Sequence, residues 1–481
     1  MKVNNAKELL AAISNCCAKI DGNKLKVTDP AALRGHGIDR LIINAVFGKD
    51  AEIRGTARWV IKAAALELGL WPASIQGLYD AMGRSEVRGY TVPAINIRGL
   101  TYDVARAVFH TAIRNNTGAF IFEIARSEID YTFQRPAEYS TALLAAGIKE
   151  GYKGPVFIQG DHFQVSAKKY KADPVKEIEG LKNLIAEAID GQFYNIDIDT
   201  STLVDLSKPT ILEQQRLNFE VGAELCAYVR SREPEGVTIS VGGEIGEVGE
   251  KNSTVEELDA YMEGFEATLK KINPALRGIS KVSVQTGTSH GGVPLPDGTV
   301  AKVKLDFDTL EKLSHRARER YGMSGAVQHG ASTLPEEAFD RFPGTTASEI
   351  HLATGFQNMI FDSEHFPEVL RDQIYDQIKQ KFRDEWKDGQ TVEQFIYKTR
   401  KKGFGLAKED IWRMEELTRA GIREELEKKF DFLFHKLAVG NNHKDVDKHI
   451  TPVKIAPVLE KEIAAAGGYK VEAVKTEEGA D

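Results

Sequence analysis

The feature that most restricts the fold of this chain is a regular alternation of short apolar runs and helical patterns between residues 90 and 360. The runs are rich in β-branched and aromatic residues, and most are followed by apolar residues at helical spacing. Such repetition predicts a parallel sheet covered by helices. The predicted strands are Thr91–Ile97, Ala119–Ile124, Pro155–Gln159, Phe193–Ile198, Val237–Val241, Ile279–Thr286, Gly325–Gln328 and Glu349–Leu352. The predicted helices are Tyr102–Arg114, Ala137–Lys149, Val175–Ala188, Ile211–Arg232, Val255–Ile272, Phe307–Tyr321 and a short one after Pro335.

Eight strands, each followed by a helix over roughly 270 residues, match the usual size of a (β/α)8 TIM barrel. The competing architecture is an open, doubly wound sheet. That sheet usually has a glycine fingerprint after its first strand, and Asn96-Ile-Arg-Gly99 is not one. The predicted fold class is therefore α/β, as a (β/α)8 barrel.

Both flanks of the barrel are predicted to be helical, with Trp71-Pro72 as a break in the first flank. We expect a helical N-terminal extension at 1–88, a catalytic barrel domain at 89–360 and a helical C-terminal extension at 361–481. The N-terminal extension contains no recognisable chemistry, so a packing or oligomerisation role is expected for it. The helical patterns are Ala6–Ile20, Ile38–Phe47, Thr56–Leu68, Pro367–Glu385, Val392–Thr399 and Asp410–Leu437.

Composition argues against several classes of protein. The 481 residues have a net charge of -8, which argues against a dominant nucleic-acid surface. Of three cysteines, Cys16 and Cys17 are adjacent, so no disulfide framework is expected. No apolar run approaches the roughly 20 residues that span a bilayer, and the N-terminus leads into an amphipathic helix. We therefore expect a cytoplasmic protein with no membrane or nucleic-acid partner.

Three histidines and one glutamate each end a predicted strand: His162, Glu244, His290 and His329. In a parallel barrel, residues at the carboxyl ends of strands converge on one mouth. Imidazole nitrogens and a carboxylate oxygen are ligands that a catalytic Zn²⁺ accepts, and three protein ligands leave one position open. The pattern predicts a metal-dependent enzyme that uses Zn²⁺ or another divalent transition metal. Taken alone, each histidine would more simply be a structural or surface residue.

Asp161 immediately precedes His162 at the end of the third strand. A carboxylate that lies beside a divalent metal without binding it can act as a general acid or base. The alternative is that Asp161 orients a ligand imidazole. Two further acidic motifs, Asp197-Ile-Asp199 and Glu244-Ile-Gly-Glu247-Val-Gly-Glu250, end the fourth and fifth strands. These motifs are candidates for a second cation, for sugar hydroxyls or for a polar layer.

The loops after the last two strands are predicted to bind an anion. They contain Gly330-Ala331-Ser332 and Ala353-Thr354-Gly355. In αβ barrels these two loops often bind phosphate through backbone N–H groups and hydroxyls. Ordinary turn chemistry is the alternative.

Residues from about 92 to 360 resemble the class II, metal-dependent fructose-bisphosphate and tagatose-bisphosphate aldolases. The resemblance rests on an ordered set of short motifs over about half of the chain. These are Pro93-Ala-Ile-Asn96, Gly160-Asp161-His162, Phe193-x-x-Ile-x-x-Asp199-x-Ser201, Gly243-Glu244-Ile-Gly246, Gly287-Thr-Ser-His290-Gly291, Gln328-His329-Gly330-Ala-Ser332 and Leu352-Ala-Thr354.

The resemblance implies roles for individual residues. His162, His290 and His329 would bind the catalytic zinc, and Asp161 would donate and accept the proton. Glu244 and Asp199 match residues that hold a displaced or second metal. The cradle for dihydroxyacetone phosphate would consist of Gly291, Gly330, Ala331, Ser332, Ala353 and Thr354. Further candidate substrate-binding residues are Asn96, Arg126, His351 and Arg400, the last of which matches loosely a late arginine that binds the distal phosphate.

The chain departs from the family pattern at several positions. Asn252 stands where the family has a catalytic loop glutamate, and Glu250 is the candidate substitute. His351 replaces the asparagine of the eighth strand. Ala125, beside Arg126 and Ser127, replaces a phosphate-binding serine, and Phe163 replaces the glycine after the Asp-His pair.

The expected reaction is the reversible cleavage of fructose 1,6-bisphosphate, or a stereoisomer, to dihydroxyacetone phosphate and glyceraldehyde 3-phosphate. Metal coordination would stabilise an enediolate, Asp161 would take the C4 hydroxyl proton, and no lysine Schiff base is required. The alternatives are a metal-dependent ketose or uronate epimerase that uses retro-aldol chemistry, and a non-catalytic accessory subunit. The expected partners are a small sugar phosphate and further copies of the chain, in a homo-oligomer.

Overall fold

The structure is a computed structural model that describes residues 3–246, 251–287, 295 and 305–468. A nine-stranded parallel sheet dominates it, and eight of these strands close into a barrel because β6 pairs with both β5 and β7. The barrel order is β4, β5, β6, β7, β8, β9, β10 and β11, with β11 returning to β4. The strands are β1 (Ala18–Asp21), β2 (Lys24–Val27), β3 (Leu70–Ala73), β4 (Val92–Asn96), β5 (Ile121–Ala125), β6 (Gly154–Gln164), β7 (Asn195–Asp199), β8 (Ser240–Glu244), β9 (Lys281–Val284), β10 (Ala326–Gln328) and β11 (Glu349–Leu352).

The predicted (β/α)8 barrel is confirmed, and all eight predicted strands occur. Strands β4, β5 and β7 are buried along their whole length, since the barrel interior covers one face and helices cover the other. This double burial explains why the sequence shows nearly continuous apolar runs. Helices Phe307–Tyr321 and Val255–Ile272 have the predicted bounds.

The helices lie between the strands of the barrel and continue in both flanks. Those before β7 are α1 (Ala6–Cys16), α2 (Pro30–Ala32), α3 (Ile38–Phe47), α4 (Ala51–Leu68), α5 (Gln76–Gly83), α6 (Thr101–Asn115), α7 (Arg126–Tyr131), α8 (Pro136–Glu150), α9 (Ala167–Ala172) and α10 (Pro174–Asp190). Those after β7 are α11 (Ile211–Gln214), α12 (Arg216–Arg232), α13 (Val255–Ile272), α14 (Phe307–Tyr321), α15 (Thr354–Asp362), α16 (Glu368–Lys381), α17 (Val392–Thr399), α18 (Gly403–Leu406), α19 (Lys408–Trp412), α20 (Glu416–Lys436), α21 (His443–His449) and α22 (Leu459–Gly467).

The N-terminal extension differs from the prediction in containing strands. Strands β1 and β2 form an antiparallel hairpin, and β3 joins the barrel sheet by pairing with the first half of β6. Asn195 connects β3 to the barrel, because its Oδ1 accepts from the Ile75 N–H at 2.9 Å and its Nδ2 donates to the Ala73 carbonyl at 3.2 Å. The Trp71-Pro72 break is therefore part of a short strand.

The two extensions pack against each other and against the barrel helices. Helix α22 lies along α4, where a buried ion pair joins Lys62 Nζ to Glu462 Oε1 at 2.7 Å. Helix α20 packs against α6, and Arg419 and Arg423 both pair with buried Asp103. Within the described residues, no helix combines the length and apolarity that a membrane span needs.

Gly55 lies where α4 packs tightly against α22, so a substitution at Gly55 tests this packing. A Cβ at this position would lie 2.4 Å from Ile463 Cα, whereas a Cβ at Gly180 in α10 would meet no atom within 4 Å. We expect Gly55→Ala to lower the free energy of unfolding by about 1–3 kcal/mol through overpacking. Gly180→Ala should raise it by up to about 1 kcal/mol, because alanine favours helix.

Thermal unfolding and hydrogen exchange check this prediction. Gly55→Ala should lower the melting temperature and accelerate exchange in α22. Gly180→Ala should neither lower the melting temperature nor accelerate exchange in α22. Equal stability of the two variants, with α22 protected in both, would contradict the packing described here.

Candidate metal-dependent active site

A one-residue bulge in β6 positions the two central side chains of the site. Gly160 pairs with Ile196 and Phe163 with Ile198, so three steps along β6 correspond to two steps along β7. The extra residue breaks the alternation of side chains, and both Asp161 and His162 reach the interior of the barrel. His162 has a φ of 38°, in the left-handed region that residues other than glycine rarely adopt.

Phe163, which departs from the family pattern, packs inside the same bulge. Its ring is fully buried and covers Gly160, where a Cβ would lie 2.5 Å from the ring. The prediction placed the end of this strand at Gln159, but β6 continues to Gln164. Asp161 and His162 therefore lie within the strand and not at its end. The bulge, not the end of the strand, turns both side chains toward the interior of the barrel.

His162 lies at the centre of a cluster of ligand-type atoms. Its Nδ1 is 3.1 Å from Asp199 Oδ2 and 3.4 Å from Glu244 Oε2. Its Nε2 is 4.0 Å from Asp161 Oδ1, and its ring centroid is 4.2 Å from that of His329. The structure thus brings together five of the predicted residues from strands β6, β7, β8 and the end of β10.

The distances and charges of this cluster fit a divalent cation. Two donors bound tetrahedrally at about 2.0–2.1 Å from zinc lie about 3.3 Å apart, close to the separations around His162 Nδ1. Burial, followed by the charge of Asp199, raises the pKa of Glu244 to about 8. Burial lowers the pKa of His162, but Asp161, Glu244 and Asp199 outweigh it and raise that pKa well above its usual value. The cluster therefore attracts positive charge.

His329 follows β10 and contacts both other histidines of the interior. Its Nε2 lies 2.8 Å from the Ser283 hydroxyl, and its ring centroid is 4.2 Å from that of His351. The remaining predicted ligand, His290, lies outside the described residues, as do Gly291, Glu247 and Glu250. Their roles stay predictions from the sequence.

His351 lies in a layer of buried charges beneath the cluster. Its Nδ1 is 3.1 Å from Glu123 Oε2 and 3.2 Å from Asp161 Oδ1, and its Nε2 is 2.9 Å from Glu349 Oε2. We predicted a substrate-binding role for His351, and the structure gives it four carboxylate neighbours, the fourth being Asp197 at 3.9 Å from Nε2. Burial raises the pKa of Asp161, but the charges of His162 and His351 outweigh it, so that pKa lies below its ordinary value.

Lys281 is the lysine of this layer and was missed by the sequence analysis. Its Nζ donates to Gln159 Oε1 at 2.7 Å and to Asp197 Oδ2 at 3.0 Å, and also to Glu349. Burial lowers the pKa of Lys281, but Asp197 and Glu349 outweigh it and raise the pKa. A charged residue within an apolar strand was the available signal, both for Lys281 in β9 and for Glu123 in β5.

The mouth of the barrel near β4 contains a second group of polar residues. Asn96 Nδ2 donates to Glu128 Oε2 at 2.7 Å, and Arg98 Nε donates to Glu128 Oε1 at 2.7 Å. Arg98 also donates to Gln357 Oε1 at 2.7 Å and to Thr354 Oγ1 at 3.4 Å. Asn96 and Thr354 were predicted to bind substrate, whereas Arg98 was missed because no motif includes it.

Lys401 is a second cation near this mouth that the sequence analysis missed. Burial, followed by the positive charge of Arg98, lowers the pKa of Lys401 to about 7. Arg400, the preceding residue in the chain, was predicted to bind substrate. It instead pairs with Asp362 at 2.6 Å and with Asn358 at 2.7 Å. Arg126 likewise pairs with Glu177 at 2.6 Å. Both predicted arginines therefore already have protein partners.

The two predicted phosphate loops lie against each other. A Cβ at Gly355 would be 3.0 Å from the Ser332 carbonyl oxygen, so the turn after β10 touches the start of α15. Gly330 has a φ of 65°, which begins the short 3-10 turn Ala331–Thr333. Ala353 directly precedes α15. The structure thus places Gly330, Ser332 and Thr354 side by side at the mouth.

Asn252, at the position of the family's loop glutamate, has a structural partner. Its Nδ2 donates to Asp306 Oδ2 at 2.9 Å. This bond ties the loop before α13 to the start of α14. An amide that donates to a carboxylate cannot abstract a proton. Asn252 therefore cannot replace the family's loop glutamate as a base.

Comparison with known proteins agrees with this geometry. The family described as fructose-bisphosphate aldolase class-II matches residues 78–409. The crystal structure of a probable tagatose 6 phosphate kinase from Sinorhizobium meliloti 1021 has a TM-score of 0.52 at 15% identity, covering 78% of this chain and 97% of that one. Fructose-bisphosphate aldolase from Campylobacter jejuni gives a TM-score of 0.46 at 16% identity, covering 78% and 97%. No curated protein matches the chain.

The family match spans more than half of the chain and includes every strand of the barrel. The described site contains the Asp161–His162 pair, His329, Asp199 and Glu244 in one cluster. The chain therefore belongs to the class II fructose-bisphosphate aldolase family.

Proposed function

We propose that this protein is a metal-dependent aldolase that reversibly cleaves a ketose bisphosphate, with fructose 1,6-bisphosphate or a stereoisomer as substrate. The observation that carries the proposal is the β6 bulge, which places Asp161 beside His162 while His329, Asp199 and Glu244 surround the same imidazole. The products would be dihydroxyacetone phosphate and glyceraldehyde 3-phosphate.

His162 and His329 would hold the metal, with His290 as the third ligand expected from the sequence. Zn²⁺, or another divalent transition metal, would polarise the ketone and hydroxyl oxygens of the substrate and offset the negative charge that develops when the C3–C4 bond breaks. Asp199 and Glu244 lie 3.1 and 3.4 Å from His162 Nδ1, where they would either fix the orientation of its ring or share a cation with it.

Asp161 would accept the proton of the C4 hydroxyl during cleavage and return it during condensation. Its lowered pKa keeps it ionised near neutral pH, as a proton acceptor requires. The residue that moves the proton on the dihydroxyacetone phosphate half is Glu250 in this proposal, since Asn252 donates to Asp306.

The phosphate of the dihydroxyacetone half would bind at the loops of Gly330, Ser332 and Thr354. Backbone N–H groups and hydroxyls of such turns suit a phosphate dianion. On the β4 side of the mouth, Arg98 and Lys401 supply positive charge for the distal phosphate. Arg98 already pairs with Glu128, just as Arg126 and Arg400 pair with Glu177 and Asp362, so each of these guanidinium groups would share its charge between a protein carboxylate and the phosphate.

The first test is an assay of the full chain with fructose 1,6-bisphosphate and tagatose 1,6-bisphosphate in the presence of Zn²⁺. We expect release of triose phosphate that EDTA abolishes and that added Zn²⁺ or Co²⁺ restores. Release that persists after exhaustive chelation would contradict metal dependence. Inversion of an unphosphorylated ketose or uronate, without triose phosphate, would identify an epimerase instead.

The second test separates the metal ligands from the proton acceptor. His329→Ala should lose activity together with one equivalent of bound metal per chain. Asp161→Asn should keep the metal held by His162 and His329 while kcat falls by about 10²- to 10⁴-fold, the usual contribution of general acid–base catalysis.

Metal analysis and steady-state kinetics provide the measurements for this pair of variants. His435→Ala is the matched control, since His435 is an exposed histidine on α20 far along the chain from the barrel strands. It should keep both metal and activity. An Asp161→Asn variant with undiminished kcat would remove the role assigned to Asp161.

The third test asks whether Lys281 forms a Schiff base, as in metal-independent aldolases. Its Nζ contacts two carboxylates and its raised pKa keeps it protonated, so it cannot attack a ketone. We expect treatment with dihydroxyacetone phosphate and borohydride to leave the mass of the protein and its activity unchanged. A covalent adduct at Lys281 in a peptide digest would overturn this assignment.

A further inference from the structure

Glu123, Asp161 and His351 form a second donor cluster in the barrel, which shares Asp161 with the cluster around His162 and His329. Glu123 lies on β5, Asp161 on β6 and His351 on β11. We propose that these three residues bind a second divalent cation, so that Asp161 lies between two metal positions. This second site lies next to the proposed catalytic metal site. The inference rests on the proposed function only in taking Asp161 as the proton acceptor.

The separation of the donor atoms fits a shared cation. His351 Nδ1 is 3.1 Å from Glu123 Oε2 and 3.2 Å from Asp161 Oδ1, and one atom from each of the three residues lies within 4.8 Å of the other two. Donors at about 2.0–2.1 Å from a tetrahedral or octahedral ion lie about 3.0–3.4 Å apart. The donor atoms therefore already have the spacing of neighbouring ligands of one metal ion, without any movement of the side chains.

Three atoms of the cluster are buried without a well-formed hydrogen bond. Among the described residues, Glu123 Oε1, Asp161 Oδ1 and His351 Nδ1 have no hydrogen-bond partner of acceptable geometry. The three residues are 0%, 5% and 5% exposed, so solvent does not satisfy these atoms. Buried polar atoms are normally hydrogen-bonded or bound to an ion. A cation between the three residues would take Asp161 Oδ1 and His351 Nδ1 as ligands, and Glu123 would supply a carboxylate oxygen.

The other candidate around His351, formed with Asp197 and Glu349, is partly neutralised by protein groups. Lys281 pairs with both of these carboxylates, and the Tyr79 hydroxyl donates to Glu349. No lysine or arginine in the described part of the chain pairs with Glu123, whose neighbours are Gln159 Nε2 at 3.0 Å and the His351 imidazole. A cation that replaces the proton of His351 therefore fits the Glu123–Asp161 side of the imidazole better than the Lys281 side.

The charge balance of the interior favours two cations over one. In the described part of the barrel, six carboxylates surround the three histidines, and Lys281 is the ammonium group that contacts them. If bound metal holds the histidines neutral and all six carboxylates ionised, one divalent ion leaves three excess negative charges, and a second ion leaves one. The carboxylates are Glu123, Asp161, Asp197, Asp199, Glu244 and Glu349.

The test measures zinc stoichiometry on the full chain, freed of metal and then titrated with Zn²⁺ alone. Calorimetry and elemental analysis should give two equivalents per chain for the wild type. Glu123→Gln and His351→Asn should each give one equivalent, with circular dichroism confirming that they fold. His435→Ala, which removes an exposed histidine of α20, is the control and should keep two.

Three results would overturn the proposal: one equivalent in the wild type, two equivalents in Glu123→Gln, or two equivalents in His351→Asn. Anomalous scattering from zinc in crystals of the wild type gives the same answer if a variant fails to fold. Two equivalents without aldolase activity would refute the proposed function alone. Chelator-sensitive activity with one equivalent would refute the second site alone.

Discussion

Asp161 and His162 owe their shared orientation to one extra residue in β6, and the other parts of the site are arranged around that bulge. A regular strand would send two consecutive side chains to opposite faces. The bulge lets β6 continue its pairing with β7 beyond His162, so the barrel closes without losing either side chain from its interior. A positive φ at a residue other than glycine costs of the order of 1–3 kcal/mol. The contacts of His162 with Asp199 and Glu244 offset that cost.

The same arrangement concentrates negative charge in the barrel. Burial of a carboxylate without a counter-charge is unfavourable, and Lys281 offsets only the charges of Asp197 and Glu349. The remaining carboxylates lie around His162 and His351. A cation bound there contributes its binding free energy to folding, because the unfolded chain offers no such site. Under the proposed function, metal affinity and fold stability would therefore be linked through the interior of the barrel.

The sequence was sufficient for the barrel and for the order of its strands because buried parallel strands are continuous apolar runs with local signals. Asp161, His162, Glu244 and His329 were also predictable, since strand ends converge in such a barrel. The bulge was not predictable, because it depends on the pairing of β6 with β7. The partners of Arg126 and Arg400 lie 51 and 38 positions away along the chain, and no local pattern indicates them. Strand β3 was missed because Pro72 is typical of a break.

Three of the departures from the family pattern lie close together in space although they are scattered in sequence. Ala125 is the register partner of Asp161, Phe163 fills the bulge beside it, and His351 contacts its carboxylate. The fourth departure, Asn252, lies on another loop and donates to Asp306. In the proposed reaction Asp161 serves the C4 hydroxyl, which belongs to the aldehyde half of the substrate. The three substitutions beside Asp161 would therefore act on the part of the site that meets the aldehyde, whereas Asn252 would act on the proton transfer of the dihydroxyacetone phosphate half. The metal ligands His162 and His329 expected from the sequence follow the family pattern, so the proposed bond-breaking chemistry needs neither group of departures.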